Sequence, residues 1–128
     1  MRITLAQTSP KLNRTNLGDI LKTINSVKND SDIIVFPELS LSGYMLQDKL
    51  TEDAWYEDEL DELRELSKDI DIVIGLALRE EKHFRNTALY FRKGELLSKH
   101  YKVHLPNYGM FEEARYFEAG NVFESFLV

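Results

Sequence analysis

Apolar residues are spaced in two ways along this chain, and the spacing changes once. In the first half, residues 3–7 form a short apolar run closed by Thr8-Ser9-Pro10, which predicts a strand and then a loop. Leu17, Ile20, Leu21, Ile24 and Val27 recur at helical spacing, predicting an amphipathic helix with Asn13 as N-cap and Asn29-Asp30 as its stop. Residues 32–36 make a continuous apolar run, the pattern of a strand buried on both faces. Pro37 ends that strand, because proline lacks the N–H that a central ladder needs. A second helix is predicted over 51–68, with Tyr56, Leu60, Leu63 and Leu66 turned inward. Glu52 and Asp53 suit the positive end of its dipole.

Past residue 70 the runs shorten and crowd together. Residues 72–78, 87–91 and 96–99 predict three strands with only short turns between them, and Lys93-Gly94 is a tight hairpin signal. A last strand is predicted over 122–128. The order is strand, helix, strand, helix, then a meander, which predicts an α/β fold built on a mixed sheet. A doubly wound nucleotide fold needs another crossover helix among the later strands, and the turns leave no room for one. It would also need a glycine-rich phosphate loop, and neither G-x-G-x-x-G nor a P-loop is present. Phe123-Glu124-Ser125-Phe126-Leu127-Val128 is an apolar strand pattern with nothing after it to pair with. The expectation is therefore a partial domain over residues 1–128, cut short of its natural partner.

Composition narrows the possibilities. The 128 residues suffice for one core and not for two ordinary domains. A net charge of −6 argues against nucleic acid or an anionic membrane as partner. Arg92, Lys93, Lys99 and Lys102 cluster in sequence, but Glu95 interrupts them and no aromatic stacking pattern accompanies them, so they predict an ordinary solvated edge. There is no cysteine, which removes disulfides and thiolate metal sites. The N-terminal residues lack a signal-peptide pattern, and a cytoplasmic protein is expected.

Candidate chemistry sits mostly at strand ends. Glu38 follows a buried strand and a proline, where α/β sheets place ligands. Partial desolvation there would raise its pKa and suit a general base, although a loop glutamate in water has the same sequence. Gly43 permits a backbone conformation other residues resist, and Tyr44 could line a pocket or simply pack. Lys102, in His100-Tyr101-Lys102-Val103-His104-Leu105-Pro106, could be a fixed charge that stabilises an oxyanion, or could snorkel off a sheet edge. His100 and His104 fall on one face of a strand, but two histidines without a third ligand make no zinc site. The segment from Asn107 to Phe117 is dense in aromatic and charged residues without periodicity, as a functional loop or an aromatic-stapled one would be.

Taken in order, three of these segments resemble the nitrilase superfamily of carbon–nitrogen hydrolases. Val35-Phe36-Pro37-Glu38-Leu39-Ser40-Leu41-Ser42-Gly43-Tyr44 is similar to the motif around its catalytic glutamate. Tyr101-Lys102-Val103-His104-Leu105-Pro106 is similar to the motif around its lysine, and Phe111-Glu112-Glu113-Ala114-Arg115-Tyr116-Phe117 to the stretch with an additional active-site glutamate. Asn86, before Thr87-Ala88, and Gly94 fall where the family has its strand-to-strand connection. The run from Leu105 to Phe111 is especially similar to the glutaminase domain of glutamine-dependent NAD synthetases.

The resemblance implies the N-terminal half of an α-β-β-α sandwich, with two helices on one face of a mixed sheet. It implies Glu38 as general base, Lys102 as stabiliser of the tetrahedral intermediate and Glu113 as accessory glutamate, with Glu112 its neighbouring rival. Tyr108 and Tyr44 would contact substrate. Hydrolysis of an amide would need no metal or organic cofactor, and a homo-oligomer is expected at full length. The family's nucleophile is a cysteine in the second half of the domain, and this chain has none. Ser9, Ser40, Ser42 and Ser98 are not expected to replace it. The chain alone should therefore be inactive; the alternative is a non-catalytic half-domain that pairs with another chain.

Overall fold

A computed structural model of the chain describes residues 1–44 and 47–128. Among the described residues five strands form one mixed sheet in sequence order: β1 (Ile3–Leu5), β2 (Ile33–Val35), β3 (Asp71–Glu80), β4 (His83–Arg92) and β5 (Glu95–Tyr101). The first three are parallel, with Ile3 beside Ile33 and Ile33 beside Asp71. The last three are antiparallel. The hairpin between β4 and β5 turns at Lys93 and Gly94, both with positive φ (53° and 84°), the geometry expected of that pair.

Helix α1 (Leu17–Val27) presents Ile20 and Ile24 to the sheet. On β3, Ile72, Ile74, Leu76 and Leu78 alternate onto the same face and are fully buried, joined by Ile34, Leu89 and Phe91. Leu60 and Leu63 cover them from a second segment, so both helical layers lie on one face. Asn13 is not the N-cap. It has φ 71°, its Oδ1 accepts from Lys49 Nζ, and the helix opens after Asn16, whose side chain ties Lys11 and Leu41 together instead.

The helix predicted over 51–68 is broken in two. Short helix α2 (Leu50–Asp53) stops, Trp55 is extended, a 3₁₀ turn spans Glu57–Glu59, and α3 (Asp61–Leu66) follows. The cause is the edge of β3, which runs past the end of β2 and needs partners there. Phe36 N–H donates to Val73 O, Leu41 N–H to Gly75 O, and Trp55 both donates to Ala77 O and accepts from Arg79 N–H. A continuous helix has no free backbone groups to offer at Trp55. Tyr56, expected inside, is exposed as a result.

The strand predicted over 122–128 does not form. Phe126 instead stacks on Tyr90, with ring centroids 5.1 Å apart, and Phe123 lies against His100 and His104. Among the described residues no helix is long and apolar enough to cross a membrane.

Candidate active site

Glu38 is held at the end of β2 by a tightly fitted loop. Leu39 takes φ 52° and Gly43 φ 88°, and Gly43 N–H donates to Leu39 O at 2.7 Å. A side chain at Gly43 would lie 2.7 Å from Lys11 O, so glycine is needed there for space as well as for φ. The loop lies directly on β3. A Cβ at Gly75 would meet Pro37 O, Leu39 N and Glu38 Cα at 2.6–2.8 Å. Ser40 Oγ donates to Gly75 O, and Ser42 Oγ accepts from Ala77 N–H at 2.9 Å. Both buried hydroxyls therefore serve the loop's attachment and are not presented as nucleophiles.

Lys102 leaves the end of β5 and reaches the same place. Its Nζ donates to Glu38 Oε1 at 2.6 Å and to Glu113 Oε1 at 3.2 Å. Glu113 opens the short helix α4 (Glu113–Tyr116), carried by an excursion of the chain between Lys102 and Gly120. That excursion is pinched shut at its base, where Gly120 N–H donates to Lys102 O at 2.9 Å. Glu112 pairs instead with Arg115 at 3.5 Å on the surface. Of the two adjacent glutamates, Glu113 is thus the one in the charged trio. Among the described residues its Oε2 is buried with no hydrogen-bond partner.

Tyr44 donates its hydroxyl to Glu38 Oε2 at 3.2 Å, and burial together with the charge of Glu38 pushes its pKa up to about 12. Burial also pushes the Glu38 carboxyl up. The hydrogen bond and charge of Lys102, with hydrogen bonds from Asn86 and Tyr44, outweigh it, and Glu38 is held below the ordinary carboxylate value. This corrects the raised pKa expected from sequence: partial burial is real, but the cation and donors around it win. Lys102 is lowered by burial and raised more strongly by its two carboxylates, and so stays protonated.

Two hollows flank the trio. Glu38 and Lys102 line one of about 290 Å³ with Phe36, Val73, Gly75, Asn86, Thr87, Ala88 and His100. Tyr44 and Glu113 line a smaller cavity of about 70 Å³ with Leu39, Leu50, Met110, Phe111, Tyr116 and Phe117. Tyr108 lines neither. It is 72% exposed, with its ring edge against Phe111. Of the basic residues in the sequence cluster, Arg92 pairs with Asp71, Lys99 with Glu57 and Glu80, and Lys102 with Glu38 and Glu113.

Asn86 and Gly75 belong to this place although sequence reasoning did not select them as site residues. Asn86 Nδ2 donates to Glu38 Oε1 at 2.7 Å. The available signal was a polar residue, and a glycine, inside otherwise apolar strands.

The profile of the carbon-nitrogen hydrolase family matches residues 2–127. The chain is 32% identical over 129 residues to the glutamine-dependent NAD(+) synthetase of Thermotoga maritima, covering 94% of this chain and 22% of that protein. A carbon-nitrogen hydrolase from Helicobacter pylori superposes with a TM-score of 0.83 over 95% of this chain and 46% of its own, at 19% identity, a likeness of fold. An amidase mutant from Nesterenkonia sp. AN1, described with acrylamide added at its active site cysteine, superposes with a TM-score of 0.76 at 27% identity. It matches 95% of this chain and 50% of its own. The chain thus spans between about a fifth and a half of the length of these relatives.

Proposed function

The chain belongs to the carbon-nitrogen hydrolase family, and from that premise we propose that it supplies the carboxylate and ammonium of a thiol-dependent amide hydrolase. The observation that carries this reading is the bridging of Glu38 and Glu113 by one Lys102 ammonium, at 2.6 and 3.2 Å. The nucleophile is a cysteine supplied from outside residues 1–128, as the chain contains none.

In this reading Glu38 takes the thiol proton, and the thiolate attacks the amide carbon. The carbonyl π electrons move onto oxygen, where the Lys102 ammonium stabilises them. Collapse of the intermediate breaks the C–N bond, Glu38 returns the proton to the leaving nitrogen, and ammonia departs from a thioester. Water then attacks the thioester with Glu38 again as base, freeing the acid and the thiol. The unpartnered Oε2 of Glu113 accepts a hydrogen bond from the amide N–H₂ and orients the substrate. Tyr44 shapes the pocket, and Tyr108, exposed with its ring edge against Phe111 of that pocket's lining, contacts the substrate. Glutamine's side-chain amide is the proposed substrate, following the glutamine dependence in the name of the Thermotoga relative. We propose a cytoplasmic homo-oligomer.

A second reading is favoured by the absence of cysteine together with the exposed apolar positions Leu5 and Leu127: a non-catalytic half-domain that pairs with another chain. Ammonia release separates the two. The purified chain should release none from glutamine above background, and joining it to a cysteine-bearing second half should start turnover that Glu38→Gln abolishes. Turnover by the chain alone defeats the requirement for a cysteine from outside it, and turnover of the joined protein that ignores Glu38 defeats the role given to Glu38. A joined protein that forms a stable complex without any turnover supports the half-domain.

A further inference from the structure

One uncharged side chain reaches the trio from the middle of a strand. Asn86 is 4% exposed and stands on β4 opposite Ala77. Its Nδ2 donates to Glu38 Oε1 at 2.7 Å, while its main-chain carbonyl accepts Lys102 N–H at 2.8 Å. A single residue thus holds the carboxylate directly, and through the backbone holds the strand end from which the ammonium projects. We infer that Asn86 is the positioning residue of this site, fixing which oxygen of Glu38 engages Lys102 and which is left to exchange a proton. The inference rests on the reading of Glu38 as a base.

The geometry divides the two carboxylate oxygens. Oε1 accepts both Asn86 at 2.7 Å and Lys102 at 2.6 Å. Oε2 accepts the Tyr44 hydroxyl at 3.2 Å, longer than the roughly 2.7 Å typical of a hydroxyl donor. A carboxylate accepts and cannot donate, so the amide must present its N–H₂ to Glu38 and its orientation is settled. Two short donors on Oε1 lower the proton affinity of that oxygen, and Oε2 becomes the one that takes a proton. Burial makes the arrangement stiff. If Glu38 swung away, the amide N–H₂ would be left without that partner in a buried place, which is costly. An acidic residue at this position would repel the carboxylate, and a basic one would lower its proton affinity further, so a neutral donor is what a base requires.

The test is a carbon-13 titration of the glutamate carboxyls of the full chain, with Glu38 assigned by its disappearance in Glu38→Gln. In Asn86→Ala the Glu38 midpoint should move to higher pH, and in Asn86→Asp, where a like charge replaces the donor, it should move further. Glu57 and Glu80, which pair with Lys99, should not move. An unmoved Glu38 midpoint overturns the inference, and so does an equal movement of all three, which marks a general loss of structure. Should Asn86→Ala fail to fold, Asn86→Asp, which keeps the size, carries the same test. No turnover is needed for this readout. A moved midpoint in a chain that stays inactive when joined to a thiol-bearing half would sink the hydrolase reading and leave the Asn86 contact standing.

Discussion

One ammonium between two carboxylates sets the pH range over which the site keeps its shape. Glu38 is held below the ordinary carboxylate value, because Lys102, Asn86 and Tyr44 outweigh the upward push of burial. Its contribution to stability is therefore complete above the ordinary value and lost as pH falls through its own lowered one. Lys102 is raised despite burial, so its contribution is complete below the ordinary lysine value and lost only as pH rises through the raised one. Between those limits Glu38 and Lys102 are both charged. Lys102→Met leaves two carboxylates with no cation between them, and should cost about 1 kcal/mol in urea denaturation at neutral pH, the scale of a partly exposed ion pair. The gap from the parent chain should close as the pH falls through the carboxylate range; a constant gap would mean the loss came from packing. Glu38 and Lys102 could be picked out in the sequence because each stands at the end of a strand-like run, and Glu113 through the family resemblance. The direction of the Glu38 shift and the part of Asn86 could not, since each depends on which donor stands within about 3 Å.

At the scale of elements, the loop that carries Glu38 and strand β3 form a single unit. Phe36, Leu41 and Trp55 complete the edge of β3 beyond β2, and Gly75 lets the Pro37–Leu39 backbone settle against it. Gly75→Ala would drive a methyl group into backbone atoms at 2.6–2.8 Å, which cannot swing aside as a side chain tip can. We expect it to cost about 1–3 kcal/mol, the usual range for overpacking, and to displace Glu38 from Lys102. Denaturation and the Glu38 titration midpoint check both halves. A change under about 0.5 kcal/mol with the midpoint unmoved would show that the loop yields freely. The same unit explains what hydrophobic spacing could and could not foresee. Strands β3 to β5 and helix α1 were legible because their periods are set by one face each. The helix predicted over 51–68 failed because Leu60 and Leu63 do keep helical spacing, while Trp55 is claimed by a strand edge far away in sequence. Residues 122–128 have a strand's composition but no ladder beside them, and composition alone does not make a strand.

For the whole molecule, the asymmetry of the sheet has a consequence that can be measured. The helical face buries Ile72, Ile74, Leu76 and Leu78 completely. On the other face the loop over Gly75 and the cluster of Leu39, Leu50, Ala54 and Ala77 cover only one end. Ile3 and Leu5 remain 54% and 77% exposed, and Phe123, Phe126 and Leu127 are exposed as well. Parallel strands such as β1 and β2 are ordinarily covered on both faces, and an apolar sheet face open to water favours association. The purified chain should therefore enhance the fluorescence of an apolar dye such as ANS, and light scattering should show its mean mass rising with concentration. Leu5→Lys should weaken both effects, because it places a charge where the sheet is barest while leaving the helical core untouched. An equal change of charge on the helical side, as in Asp61→Asn, should leave the dye signal unchanged. If the parent chain stays monomeric at every concentration and binds no dye, the bare face is not a surface that water disfavours, and the expectation that a second layer belongs on it loses its physical ground.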